Sequence, residues 1–178
     1  MPADRGYFIG RLFGRRSAAR RAESDADPRA IVERLRAGGA RYDGLTGLYK
    51  ARLISQILDA LESRGLREQS SLISIDIIGL RDEVAVHGSV VGDGILIALA
   101  GRLLNVIDED AAAVRLSFSE FAVVLPGVPC EDAAEVISRI HAALDSPVGV
   151  AGTAKRIPFR IGVGSLHDSP RDSILDPA

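Results

Sequence analysis

The 178-residue chain holds one cysteine, Cys130, no tryptophan, and only two lysines, Lys50 and Lys155. A single thiol cannot close an intramolecular disulfide, and no cysteine-rich zinc site can be built from it. The chain is therefore expected in a reducing compartment, the cytoplasm. Aromatic residues make up 4% of the sequence. Stacking on bases then cannot be its main means of binding, and no specific nucleic-acid recognition is expected. No uninterrupted apolar run reaches the length of about 18 residues that spans a membrane. Tyr7-Phe8-Ile9 is too short for the apolar region of a secretory signal, and arginines follow it. The histidines, His87, His141 and His167, show no metal-ligand spacing, and no internal repeat is present.

What the chain does have is 47% hydrophobic and 26% charged residues, a globular composition sufficient for one domain with short extensions. The core must be aliphatic. The net charge of −2 is unevenly spread. Arg5, Arg11, Arg15, Arg16, Arg20 and Arg21 stand against Asp4 in residues 1–22, a side-chain sum of +5 that leaves −7 for the remainder. Residues 1–26 read as a disordered basic arm and linker. Such an arm is either a solvated tail or a non-specific contact for an anionic membrane surface or nucleic acid.

Residues 27–40 read as a short linker helix, with Asp27 as cap, Pro28 in the first turn, Ile31, Val32 and Leu35 as a stripe, and Gly38-Gly39 as its end. The main domain is expected over residues 41–168, with a polar tail at 169–178. Asp43 to Leu48 is turn-rich. A helix follows with Leu53, Ile54, Ile57, Leu58 and Leu61 on one face, stopping near Gly65. Ser71 to Leu80 is nearly continuous in apolar and β-branched residues and predicts a buried central strand containing one carboxylate, Asp76. Val91, Ile95, Leu99 and Leu103 mark a helix over 89–107. Ala112–Leu116 and Glu120–Leu125 predict a hairpin turning at Ser117-Phe118-Ser119. An amphipathic helix over 131–144 and a strand over 157–163 complete the order.

Helices alternate with strands, but the middle pair is a hairpin. The expected fold is therefore an α/β (α+β) domain with a central mixed, mainly antiparallel sheet flanked by helices. The Asp76 strand should lie beside the hairpin, with Asp76 toward the turn. Palm-type nucleotidyl-transfer enzymes use this arrangement, because paired metal ions need acidic ligands from neighbouring strands.

These segments resemble the GGDEF domain, the catalytic domain of diguanylate cyclases, over Asp43 to Leu166. Asp43-Gly44-Leu45-Thr46-Gly47-Leu48-Tyr49-Lys50 is similar to the family's DxLTGLxN. Ile75-Asp76-Ile77 resembles the start of DxDxFKxxND. GSVVGD at 88–93 resembles GHxxGD, and RLSFSEF at 115–121 occupies the place of RxGGDEF. FAVVLPG at 121–127 and Ile161-Gly162-Val163 resemble the strand after the signature and the late SIGVA strand.

The resemblance implies Mg²⁺ held by acidic residues: Asp76 matches the first ligand and Glu120 keeps the signature's fourth position. Ser119 stands where the family has its other ligand, and a serine is a poor Mg²⁺ ligand and no general base at neutral pH. Ile78 replaces the second Asp of DxD. Asp93 matches a guanine contact, whereas Val84 and Ala85 replace the family's Asn and its neighbour. Arg81 replaces a phosphate-facing Lys. Ser117 and Phe118 replace the two glycines, and Phe118 brings a ring to where family substrates lie; Phe121 is retained. Asp108-Glu109-Asp110-Ala111 stands in place of the inhibitory RxxD. The family's last helix should follow the late strand, and is expected either beyond a truncated chain or missing.

The alternatives at single residues stay open. Asp76 is a metal ligand or a strand-end carboxylate bonded to backbone. Glu120 is a second ligand or a solvated turn residue. Asp93 is a base contact or a first-turn acid, and Cys130 is a capping-region or buried thiol. The expectation for the whole is a catalytically degenerate GGDEF domain, an interaction or nucleotide-sensing module in cyclic-di-GMP signalling. GTP or cyclic-di-GMP and a protein partner or second copy are its expected partners, with no catalytic residues and Mg²⁺ only alongside a nucleotide. The alternatives are an active diguanylate cyclase and a nucleotide-independent scaffold.

Overall fold

The computed structural model describes residues 41–108 and 110–167. The arm over 1–26, the linker helix over 27–40 and the tail over 169–178 lie outside the described residues. Seven strands and four α-helices are described: β1 (Tyr49–Lys50), α1 (Ile54–Glu62), β2 (Ser71–Ile77), α2 (Leu80–His87), α3 (Ser89–Val106), β3 (Ala112–Arg115), β4 (Glu120–Leu125), α4 (Ala134–Leu144), β5 (Val148–Val150), β6 (Thr153–Lys155) and β7 (Phe159–Ser165).

Five strands form one sheet in the order β1-β3-β4-β2-β7, and β5 and β6 form a separate ribbon. Only β1 and β3 are parallel; every other neighbouring pair of the large sheet is antiparallel. The sheet is mixed and mainly antiparallel, as the helix–strand–hairpin order requires.

Alternation along β2 decides which layer covers which face. Ile73, Ile75 and Ile77 point into the larger core, where Ile95, Leu96, Leu99 and Leu103 of α3 and Ile140 and Leu144 of α4 meet them. Ala112, Val114 and Val124 point the other way, toward Ile54, Ile57, Leu58 and Leu61 of α1. Helix α1 ends where glycine was expected to end it. Gly65 adopts φ +64°, Leu66 N–H donates to the Leu61 carbonyl at 3.0 Å, and Gly65 N–H donates to that of Glu62 at 2.9 Å. These two bonds satisfy carbonyls that the last helical turn leaves open.

Three local expectations are corrected. The central strand stops at Ile77, before the expected Leu80: Gly79 takes a left-handed φ of +71° and α2 begins at Leu80. A short helix with one fully buried residue has almost no apolar stripe to announce it. The 131–144 helix begins with a 3-10 turn over Cys130–Asp132 and becomes α-helical at Ala134. The late strand runs Phe159–Ser165, two residues later than expected, in register with β2 from Ile77↔Phe159 to Ser71↔Ser165. Helix α3 is long and apolar enough by length and composition to cross a membrane. Its buried side chains nevertheless face the sheet, which is how the core helix of a globular domain is built.

Helices α2 and α3 meet at Gly92. A Cβ there would lie 2.3 Å from Val84 Cγ2, well inside contact distance, and a β-branched valine cannot swing its methyl away freely. Gly92→Ala should destabilise the chain by about 1–3 kcal/mol through overpacking, a fall of roughly 4 °C per kcal/mol in thermal unfolding. On a Val84→Ala background the same change should be neutral or stabilising, because alanine is the better helix former. Equal destabilisation in both backgrounds would show that Val84 is not the obstacle.

Candidate functional site

Antiparallel register carries three charged residues from three strands to one row. Asp76 of β2 lies opposite Glu120 of β4 on one side and opposite Arg160 of β7 on the other. Directly opposed residues share a sheet face, with Cβ atoms about 4.5–5.5 Å apart. The Arg160 Nη2 atom stands 3.6 Å from Asp76 Oδ2, with the Arg160 side chain 79% exposed and Asp76 40%.

The hairpin between β3 and β4 closes over this row. Leu116 N–H donates to the Glu120 carbonyl at 2.9 Å, and Ile77 N–H donates to that of Ser119 at 2.8 Å, pinning the turn onto the end of β2. The Ser117 hydroxyl donates to Glu120 Oε2 at 2.9 Å. At the tip, Phe118 is 37% exposed, and the Arg81 guanidinium carbon lies 5.3 Å from its ring centroid. That distance is within the range of a cation–π contact. Phe121 is fully buried and belongs to the core.

The base of the hairpin is clasped separately. Arg115 Nη1 donates to Asp43 Oδ1 at 2.9 Å, and the same oxygen accepts from the Thr46 hydroxyl at 2.7 Å and the Thr46 N–H at 3.0 Å. Burial pushes the Asp43 carboxyl upward, but the bonds from Thr46 and Arg115 outweigh it and hold it below its ordinary value.

The structure thus gathers Asp76, Glu120, Ser117, Phe118, Ser119 and Arg81 around one hairpin. Asp93 is exposed on α3, and among the described residues no hydrogen bond or ion pair joins it to that group. Arg160 is the member of the row that sequence reasoning missed. The signal was the alternation of the late strand, but the register that puts Arg160 beside Asp76 is tertiary. Cys130 is half-buried at the start of its 3-10 turn. His141 is an exposed residue of α4, its ring edge-on to Phe159 at 5.2 Å between centroids.

A mainly antiparallel sheet flanked by helices, with acidic residues at the end of its inner strand β2 and at the adjacent hairpin, defines a mixed α/β class of domain. Within that class the chain belongs to the GGDEF family: the family model described as diguanylate cyclase, GGDEF domain, matches residues 40–176. An uncharacterized signaling protein from Caulobacter vibrioides is 32% identical over 138 residues, covering 74% of this chain and 17% of that protein. A protein from Escherichia coli named probable diguanylate cyclase DgcC is 29% identical over 133 residues, covering 74% of this chain and 35% of that protein. The chain therefore spans little more than a third of these curated relatives at most. The crystal structure of the FimX GGDEF domain from Pseudomonas aeruginosa superposes with a TM-score of 0.68 at 24% identity, covering 76% of this chain and 87% of that one.

The Asp43 clasp generates a stability prediction with a pH sign. Asp43→Ala removes an acceptor of three hydrogen bonds, one of them from a charged donor, and should cost about 1–3 kcal/mol. Because the folded carboxyl is held low, its contribution is complete above the ordinary value of about 3.8. It is lost as pH falls through the lower folded value. Urea unfolding of both proteins should give a constant gap from pH 7 to pH 5 that closes in stronger acid. A gap that widens on acidification would contradict the clasp.

Proposed function

We propose that this domain does not turn over GTP and works as an interaction or nucleotide-sensing module in cyclic-di-GMP signalling. The observation that carries the reading is the occupied hairpin tip. Where the family signature offers two glycines and an acid, this chain has Ser117, Phe118 and Ser119, and the Phe118 ring lies under Arg81 at 5.3 Å. Glycine would leave the backbone open to a phosphate, whereas here an aromatic ring and a guanidinium are already in contact. The arginine in the place of a phosphate-facing lysine is thereby engaged with the chain's own side chain.

The base site supports the same reading. Val84 stands where the family pairs an asparagine with the base, and its side chain fills the space against Gly92. Two carbon methyls cannot replace a hydrogen bond to a purine edge, a loss of on the order of 1–3 kcal/mol.

The acidic residues do not compose a good pair of Mg²⁺ sites. Asp76 is flanked by a guanidinium, Glu120 is bonded by Ser117, and Ser119 offers a neutral hydroxyl in place of a carboxylate. Among the described residues no three histidine, cysteine, aspartate or glutamate side chains come together as a metal cluster. Chemistry that condenses two nucleotides needs charge stabilisation, an oriented base and an open phosphate path. The three substitutions act on these terms separately, and losing a single electrostatic element often costs about 10²–10³ in rate.

The test is incubation of the full chain with GTP and either Mg²⁺ or Mn²⁺, with mass spectrometry for cyclic-di-GMP. No product is expected. Product that disappears on Asp76→Ala would overturn the reading and make the domain a cyclase. Ser117→Gly, Phe118→Gly and Ser119→Asp together rebuild the signature but leave Val84 in the base site, so that triple variant should also stay inactive. Thermal unfolding with GTP and with cyclic-di-GMP separates the two halves of the proposal. A nucleotide at a hundred times its Kd adds about 2.7 kcal/mol of stability, and an unchanged transition assigns the domain to protein interaction.

A further inference from the structure

We propose that Arg160 takes the place of a divalent cation at the end of β2, so that the domain's acidic row is balanced from within. This inference rests on the non-catalytic reading above and deepens it. Glu120, Asp76 and Arg160 occupy consecutive register positions across β4, β2 and β7. Two carboxylates directly opposed on one sheet face repel each other. A bound metal ion is one way to hold such groups together, and a cation from the protein is another. The third position of this row is filled by a guanidinium, 3.6 Å from the Asp76 carboxylate. On the far side, the Ser117 hydroxyl gives Glu120 a hydrogen bond at 2.9 Å. Both acids thus have a partner supplied by the chain.

The same geometry works against a metal. A hard divalent ion needs several oxygen ligands around it, and here it would meet one carboxylate already facing a positive charge. Arginine stays protonated at any pH the fold tolerates, so the repulsion cannot be relieved by losing a proton. The pair is largely exposed, so it contributes little to stability. Its effect is on what can bind: an incoming cation must first displace the guanidinium. Arg160 lies on an outer strand of the five-stranded sheet, outside the two hydrophobic clusters. Replacing it therefore changes charge without opening a cavity.

The experiment is a Mn²⁺ titration of the full chain, following free Mn²⁺ by electron paramagnetic resonance and the melting temperature in parallel. The wild type should leave Mn²⁺ free at millimolar concentration, and Arg160→Lys, which keeps the cation, should behave the same way. Arg160→Ser should take up one Mn²⁺, with a melting temperature raised by roughly 6 °C at ten times the new Kd. Adding Asp76→Asn to that variant should abolish the uptake. Arg160→Gln, which keeps the length of the side chain, provides the same test if the serine variant folds poorly. Uptake by the wild type that Asp76→Asn removes would overturn the inference, as would charge-removing variants that bind no more Mn²⁺ than the wild type. Cyclic-di-GMP production by the wild type would instead strike the non-catalytic reading, so the two failures are told apart.

Discussion

Strand β2 shares its backbone ladder with two antiparallel partners, β4 and β7, and that double pairing sets everything at the site. The register is held by burial. Ile73, Ile75 and Ile77 fill the core on one face, so a slip of one residue would carry Asp76 inward and the isoleucines out. The cost of burying an unpaired carboxylate forbids it. Asp76 therefore stands on the opposite face at the strand end, and its neighbours there are whichever residues β4 and β7 carry at the same level. The charged row is a consequence of packing three isoleucines.

The hairpin that overhangs this row is held at both ends by different forces. At its base Arg115 reaches Asp43, joining the first turn of the domain to the signature segment through one carboxylate shared with Thr46. At its tip Phe118 meets Arg81, joining the hairpin to the start of α2. The backbone bond from Ile77 to Ser119 lies between them. A turn tied in three places is preorganised, and at its tip the tie is made by side chains that a glycine-rich turn would not have. The scaffold is that of the family, and the tie at the tip is the contact of Phe118 with Arg81.

Much of the fold was legible because long elements advertise their periodicity. The leucine and isoleucine stripes of α1 and α3, the hairpin around Ser117-Phe118-Ser119 and the strand around Asp76 are strong, repeated signals. The elements that escaped are short or carry few buried residues. Strand β1 has two residues and β5 and β6 three each, too few for alternation to register. Helix α2 buries only Leu80 among its eight residues, and the apolar run leading into it reads as more strand until Gly79 turns the chain.

The sequence by itself determined which groups are available: a hydroxyl at Ser119 and a ring at Phe118 in the hairpin, and an isopropyl group at Val84 on α2, at positions where the family resemblance implies an acid, a glycine and an amide. These are properties of single positions, and no folding is needed to know that a hydroxyl, a ring and an isopropyl group differ chemically from a carboxylate, a bare backbone and an amide. Only the tertiary structure decided what those groups meet. That Arg81 rests on Phe118, that Arg115 closes on Asp43 and that Arg160 faces Asp76 depend on turns and registers linking distant segments. Side-chain neighbours across a sheet are set by which strands pair and at what offset, and that choice is made by the burial of the whole core.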